Sequence, residues 1–469
     1  MSRYKPGRPF NGFEEFDEIS AKQWKQKIQY DLKGADYNES LVWQSAEGIH
    51  VKPFYHSDDF TTAFRDIPGQ PQTWRIAQAI GIDDERIANH IALDAIERGA
   101  EAIVFSAEKE FAVEAVFKNF PFERTSIYFN LASLSETFYG KLIGYLSEKG
   151  ATVFYNIDII GNLARTGNWF HNPKKDHGIL DGIFKKFPAQ NVLSVDACLY
   201  QNAGATMVQQ LAYALAHANE YLNHFASASP SDRYWSETEM LFQIAIGPNY
   251  FFEIAKIRAL RRLYVVLAEE YGARETCHIT AKPSKRNKTL YDFNVNLLRS
   301  TTECMSAILG GANTVCNLPY DALYHKSNEF GERIARNQLL ILKHESYFDT
   351  VSNPADGTYY IESLTEELAE KALQLFKEIE KGGGLLQLLK EGTIQRKIKE
   401  SADKEQQRFD RGKLKLLGTN YHPNKNDRMK DELELFPFVK RNPIKTLIAP
   451  IIEKRVSEIT EQERLKQES

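Results

Sequence analysis

An α/β barrel is the fold this sequence predicts, and three observations carry the prediction. Short apolar runs rich in β-branched and aromatic residues recur along the chain: EAIVFSA, SIYFNLA, TVFYNID, NVLSVDA, MLFQIAIG, TCHITAK and ANTVCNL, between residues 101 and 318. Segments of helical period separate them, such as TMVQQLAYALAHANEYLNHF and FFEIAKIRALRRLYVVLAEEYG. The runs lack strict alternation, as suits parallel strands buried on both faces. Seven or eight strand–helix units between residues 86 and 345 fit a closed (β/α)8 TIM barrel. The rival, an open doubly wound sheet, is weakened because no G-x-G-x-x-G follows the first strand.

The elements follow in order. Residues 1–12 hold two prolines, two glycines and several charges, and read as an extended arm. Its Tyr4, Phe10, Phe13 and Phe16 are apolar groups better buried against a partner than exposed. Ser20 then caps a helix, with Gln23 at the capping-box position, and that helix runs to Leu32 and stops at Gly34. LVWQS and IHVKPFY, divided by Glu47-Gly48, predict a hairpin. ANHIALDAIERGA is helical and ends at a glycine, opening the barrel rhythm. Beyond Tyr360, LTEELAEKALQLFKEIEKGG is an amphipathic helix stopped by Gly382 to Gly384. LLQLLKEGTIQRKIKESADKEQQRFDRG continues helically with a solvated, alternately charged face. The polar end VSEITEQERLKQES is expected to fray. The division is therefore an N-terminal arm, helix and hairpin (1–85), a barrel (86–360) and a C-terminal helical extension (361–469).

Composition excludes several classes. The 469 residues suffice for one large core or two domains. A formal net charge of −4 gives no basic field for nucleic acid, and the runs KKFPAQ and KPSKRNK read as solvated loops. Residues 1–20 lack the apolar core of a signal peptide, and no stretch approaches a membrane span. Cys198, Cys277, Cys304 and Cys316 form no C-x-x-C pair and read as buried thiols in a reducing compartment, so a cytoplasmic location is expected.

Individual residues have competing readings. Arg299 and Glu303 stand four apart on a predicted helix, and an intrahelical ion pair is favoured over an anion site at Arg299. Glu253 and Lys256 pair as scaffolding on one helix. Gln201 and Asn202 lie where a strand gives way to a helix, the usual place for barrel active-site residues, although capping is the better reading of Asn202. His325 and His344 have no partner at metal spacing, and His217 and His224 are seven apart, so no metal site is expected. Phe105, Phe129, Phe154, Tyr155 and Phe242 lie on strand runs, and some are expected to fill the barrel axis.

Five segments in one order resemble the acyl-CoA-binding barrel of the methylmalonyl-CoA mutase family. They are DIIGNLARTG (158–167), NAGATMVQQLAYALAHANEYL (202–222), IGPNYFFEIAKIRALRRL (246–263), RSTTECMSAILGG (299–311) and ERIARNQ (332–338). Asp31-Leu32-Lys33-Gly34 with GIHVKPFY is similar to the family's leading helix and hairpin. The resemblance covers about Trp24 to Pro450. It implies a barrel that keeps its axis open for CoA beside adenosylcobalamin, whose radical chemistry interconverts methylmalonyl-CoA and succinyl-CoA.

Three departures shape the expected role. The family's cobalt-ligating Asp-x-His-x-x-Gly has no counterpart, since Asp176-His177-Gly178 has the wrong spacing. The family's thioester-binding histidine, four positions before Ala203-Gly204-Ala205, is replaced by Leu199, which cannot donate to a developing oxyanion. The family's Arg-Gln-Tyr segment becomes Arg75-Ile76-Ala77, ending in alanine. The chain thus resembles the small, non-catalytic subunit of the family, binding no cofactor itself. A large cobalamin-bearing subunit would be its heterodimer partner and carry the adenosylcobalamin. The alternatives are a working barrel served by a separately encoded cobalamin subunit, and a chaperone or regulator that binds a mutase in passing. No catalytic residue is assigned; Gln201, Asn202, Arg299 and Glu303 are the barrel-mouth candidates.

Overall fold

Eight parallel strands pair in sequence order and close on themselves: β1 (Arg75–Gly81), β2 (Ala102–Ala107), β3 (Ser126–Leu131), β4 (Val153–Ile157), β5 (Asn191–Asp196), β6 (Met240–Ile246), β7 (Cys277–Pro283) and β8 (Thr314–Cys316). Closure runs through Thr314↔Arg75, Val315↔Ile76 and Cys316↔Ala77. The computed structural model describes residues 18–61, 63–188, 190–228, 236–440 and 444–468. Tyr4, Phe10, Phe13 and Phe16, on which the arm expectation rests, lie outside the described residues.

Seven strands are the apolar runs read from the sequence. The eighth, Arg75–Gly81, precedes residue 86, so the barrel begins inside the segment assigned to the arm and hairpin. Its sequence RIAQAIG carries a glutamine at the centre, a poor signal for a buried strand. Gln78 is nonetheless buried, because Arg336 from the helix Glu329–Leu340 donates to its Oε1. That partner is invisible in the local sequence.

The N-terminal expectations hold where they are described. Ser20 and Gln23 form a capping box on the helix Ala21–Asp31, and Trp43–Gln44 pairs antiparallel with His50–Val51.

Outside the strands, the helices Met207–Ala228, Tyr250–Tyr271 and Tyr359–Lys381 pack together. Leu364, Leu368, Ala372 and Ile379 of the third join the main core. Buried charge fixes this layer. Arg258 is fully enclosed and donates to Asp356 and, at 2.5 Å, to Glu362. Glu253 meets Lys256 at 2.5 Å, as the sequence suggested, and Lys256 also donates to Gln210 and to the carbonyl of Ala245.

The C-terminal end does not fray. Residues 447–456 run back over the loops that follow β4, β5 and β7. The backbone N–H groups of Leu447 and Ile448 donate to the carbonyl of Gly167, that of Ile451 to Ala164, Lys454 to Asn202 and Val456 to Arg286. Gly167 has φ +76°, and a Cβ there would lie 2.5 Å from the Ile448 carbonyl, so this approach requires glycine. The helix Glu458–Gln467 then turns its acids inward. Glu461 accepts from Arg455 and from the Leu290 N–H at 2.8 Å, while Glu468 accepts from Tyr291 and from the N–H groups of Met429 and Lys430. Carboxylates that read as a solvated tail are internal acceptors.

Glu461→Gln is expected to lower stability by about 3 kcal/mol, because breaking a buried pair leaves the Arg455 charge uncompensated. A lower urea midpoint, with early proteolytic release of the last turns, is the outcome that checks it.

Candidate functional site

Inward-facing residues are identified by a contact that crosses the barrel. Tyr128 on β3 is hydrogen-bonded through its hydroxyl to His278 Nε2 on β7 and Thr314 Oγ1 on β8, both at 2.8 Å. Strands so far apart in order meet only across the axis. Tyr128 stacks on Phe154 with centroids 4.9 Å apart, and Phe154 lies 4.2 Å from the His278 ring. Val104, Leu241, Ala77, Ala102 and Cys316 complete this inner cluster. The N-terminal half of the axis is therefore filled.

Of the five aromatics expected to compete for the axis, Phe154 alone joins this cluster. Phe105, Phe129, Tyr155 and Phe242 belong to the outer core, with Phe105 against Phe117 and Phe242 against Tyr264 on a covering helix. Period-2 alternation decides this, since neighbours on one strand must face opposite sides. Tyr128 and His278 went unnoticed because both sit in runs that look uniformly buried.

Above this plug the inner face becomes small and polar. Ala79, Gly81 and Ser106 are exposed, and a methyl group added at Gly81 would meet nothing within 4 Å. Asn130 lies beside Ser106, and Ser194, Asp196, Gln243, Thr280 and Lys282 follow on the same alternating face, with Asn156 joined to them through Asn130. Asn156 has φ +48° and donates to Asn130, while Asn156 Oδ1, Ser194 Oγ and Thr280 Oγ1 are buried without partners among the described residues. Lys282 donates to Gln243 at 3.4 Å and has no carboxylate partner among the described residues. Such a recess can hold a polar or anionic group. Its facing groups are amides, hydroxyls, the Asp196 carboxylate held by Arg165, and the Lys282 ammonium. Burial holds His278 well below the usual imidazole range, with Arg261 and Arg75 adding to the effect, so the ring is neutral and tied to Tyr128.

A charged rim borders the recess. Arg165 donates to Asp196 and, at 3.2 Å, meets Glu453 of the returning C-terminal segment. Asp158, at the end of β4, is buried and accepts from His217, Tyr221, the Gly161 N–H and the Asp196 N–H. Burial alone would raise its carboxyl, but His217 and these donors bring it below the usual range. Glu332 accepts from Ser327, and burial pushes its carboxyl up to about 7. Asp158, Asp196 and Lys282 all end strand runs, the position from which they could have been found.

The sequence candidates occupy this rim in unexpected ways. Gln201 and Asn202 lie in the short helix Cys198–Ala203. Gln201 accepts from Ser284 at 2.8 Å. Asn202 is not an N-cap: it donates to Glu453 and accepts from the Lys285 N–H, while Thr206 caps the next helix with Gln209. Arg299 and Glu303 do not pair. Glu303 is enclosed by Lys288 at 2.7 Å and Asn287 at 2.7 Å, and Arg299 turns to Thr289, Asn296 and the carbonyl of Leu417. The loop after β7 outcompetes the helical neighbour. Leu199 is buried in the outer core, and Ala77 faces the axis between Ala102 and Cys316. Among the described residues no three His, Cys, Asp or Glu side chains converge to hold a metal.

The family model described as methylmalonyl-CoA mutase matches residues 110–462. The chain belongs to the methylmalonyl-CoA mutase family. It is 34% identical to the methylmalonyl-CoA mutase small subunit of Porphyromonas gingivalis, across 90% of this chain and 73% of that one. It is 28% identical to the methylmalonyl-CoA mutase of Rhizobium meliloti, across 89% and 66%, and 26% identical to the small subunit of Streptomyces virginiae, across 88% and 72%. The chain thus spans about two thirds to three quarters of these relatives. No described helix of this family member is long and apolar enough to cross a membrane.

The neutral state of His278 gives a pH prediction. Its native pKa lies below the unfolded value of about 6.5, so on acidification the unfolded chain binds the proton first. Stability from the neutral ring is present above that pH and is lost as pH falls toward the native value. His278→Gln is expected to flatten this acid loss by up to about 1.4 kcal/mol per pH unit, read from urea midpoints at neutral and mildly acidic pH. Tyr128→Phe is expected to cost about 1–2 kcal/mol, since His278 Nε2 and Thr314 Oγ1 lose their shared partner.

Proposed function

We propose that this chain is the small, structural subunit of an adenosylcobalamin-dependent methylmalonyl-CoA mutase, paired with a large subunit that carries the cofactor and the turnover. The observation that carries the reading is the filled axis. Tyr128, Phe154 and His278 meet where a catalytic barrel of the family needs a passage for CoA. Leu199, at the position of the family's thioester-binding histidine, is buried in the outer core and presents no donor to the mouth. Alanine at Ala77, and again at the exposed Ala79, offers the substrate no polar contact from β1.

The chain's own residues do not fit the cobalamin. The imidazoles near the barrel are engaged: His217 by Asp158 and Tyr200, and His278 by Tyr128. Residues 447–456 cover the rim above β4, β5 and β7. The cofactor is therefore assigned to the partner, and the chain's contribution is a rigid surface for that partner. The runner-up, a working barrel served by a separate cobalamin carrier, draws on the open, polar recess beside Lys282.

Co-expression with a large mutase subunit is expected to give one co-eluting complex. Lys282→Ala in this chain should leave the complex's succinyl-CoA formation within about twofold, because the proposal assigns turnover to the partner subunit and a residue that makes no transition-state contact changes kcat/KM little. Succinyl-CoA made by this chain with only a detached cobalamin carrier would overturn the proposal.

A further inference from the structure

The segment RSTTECMSAILGG supplies an arginine without the acid expected to hold it. Arg299 Nη1 donates to Thr289 Oγ1 and Asn296 Oδ1 at 2.8 Å, and Nη2 donates to the Leu417 carbonyl at 2.7 Å. All three acceptors are neutral. Two of its five N–H groups, on Nε and Nη2, have no partner among the described residues. Two neighbouring charges are already matched, Glu303 by Lys288 at 2.7 Å and Arg286 by Glu405 at 2.5 Å, and no carboxylate lies within ion-pair distance of Arg299 among the described residues. Burial lowers the guanidinium from its ordinary value, while Glu303, Asp292 and Glu461 at longer range act against it.

This arginine lines a cavity of about 400 Å³ beside the barrel mouth. Pro248 after β6 and Ser284 after β7 form one end. The walls are apolar: Val295 and Leu298 from the helix Val295–Leu309, Phe409 from the helix Thr393–Asp410, and Leu414 and Leu416 beyond it. An apolar chamber of this size with a few convergent polar groups is the ordinary form of a small-molecule site. Lys415 adds a second cation to the lining, over the Tyr421 ring at 4.6 Å. Excess positive charge in an apolar chamber selects an amphiphilic anion. Two spare donors on one planar guanidinium suit a single carboxylate.

We propose that this cavity binds an amphiphilic monocarboxylate of medium chain length. Its chain lies against Leu298, Phe409 and Leu416, and its carboxylate sits on Arg299. The site is separate from the barrel axis and does not depend on the subunit role argued above. It occupies the groove where the C-terminal helices return to the barrel, so its occupant would brace that contact.

Isothermal titration of the full chain with sodium octanoate, against 1-octanol as the neutral control, tests this. Octanoate is expected to bind with one-to-one stoichiometry and about tenfold or more tightly than octanol, the margin of a charge-assisted hydrogen bond. Arg299→Met should remove that margin while leaving octanol affinity within about twofold. Arg299 also braces Leu417, so a second variant guards against misfolding. Leu298 is 67% exposed, and Leu298→Glu sets a carboxylate at the wall without touching the core. It should weaken octanoate by a similar factor. Equal affinity for octanoate and octanol, or octanoate binding undiminished in both variants, would overturn the proposal. So would competitive displacement of octanoate by an added large mutase subunit, which would assign the cavity to a protein interface.

Discussion

A parallel strand in a closed barrel has two buried faces, and each needs its own core. Here the inner core is closed by a phenol that requires polar partners. The Tyr128 hydroxyl is shared by His278 and Thr314, and that bond ties β3 to β7 and β8 across the axis. An unpaired hydroxyl at this depth would cost about 1–3 kcal/mol. The three side chains therefore specify one another, and Phe154 fills the space between them. Everything above this level can be small and wet because everything below it is packed.

The outer shell is fixed by buried charge as much as by apolar surface. Arg258 with Glu362 joins segments remote in sequence, Lys288 with Glu303 ties the loop after β7 to the helix that follows it, and Glu461, paired locally with Arg455, reaches the distant Leu290 N–H. Pairs of this kind add little net stability over a well-packed apolar substitute, but breaking one strands a charge. Their effect is to fix which segment docks where. The last helix is drawn against the loop after β7 by acids that would be indifferent to position in water.

These two features together give the site its character. The mouth keeps an ammonium, a carboxylate, amides and hydroxyls, several without partners among the described residues, while the N-terminal half of the axis is filled. Beside it the returning C-terminal segments enclose an apolar chamber, so the same docking that seals one rim creates a second cavity.

Much of the fold was legible in the sequence, because it rests on local rules. Seven of eight strands, the Ser20 capping box, the hairpin and the Glu253–Lys256 pair follow from periodicity, caps and spacing within one element. β1 was missed because Gln78 is made acceptable only by Arg336, over 250 residues away in sequence. The pairing of Arg299 with Glu303 failed for a related reason: a loop sixteen residues upstream offers Glu303 a lysine and an asparagine at once. Asn202 was likewise claimed by Glu453 from the far end of the chain.

Periodicity and motif order alone indicated the fold class and the family, since each is a property of residue identity. Which aromatics face the axis, which acids turn inward at the C-terminus and where the unpaired arginine comes to lie were decided only by tertiary structure. Those outcomes depend on partners brought together by closing the barrel, and no local pattern encodes them.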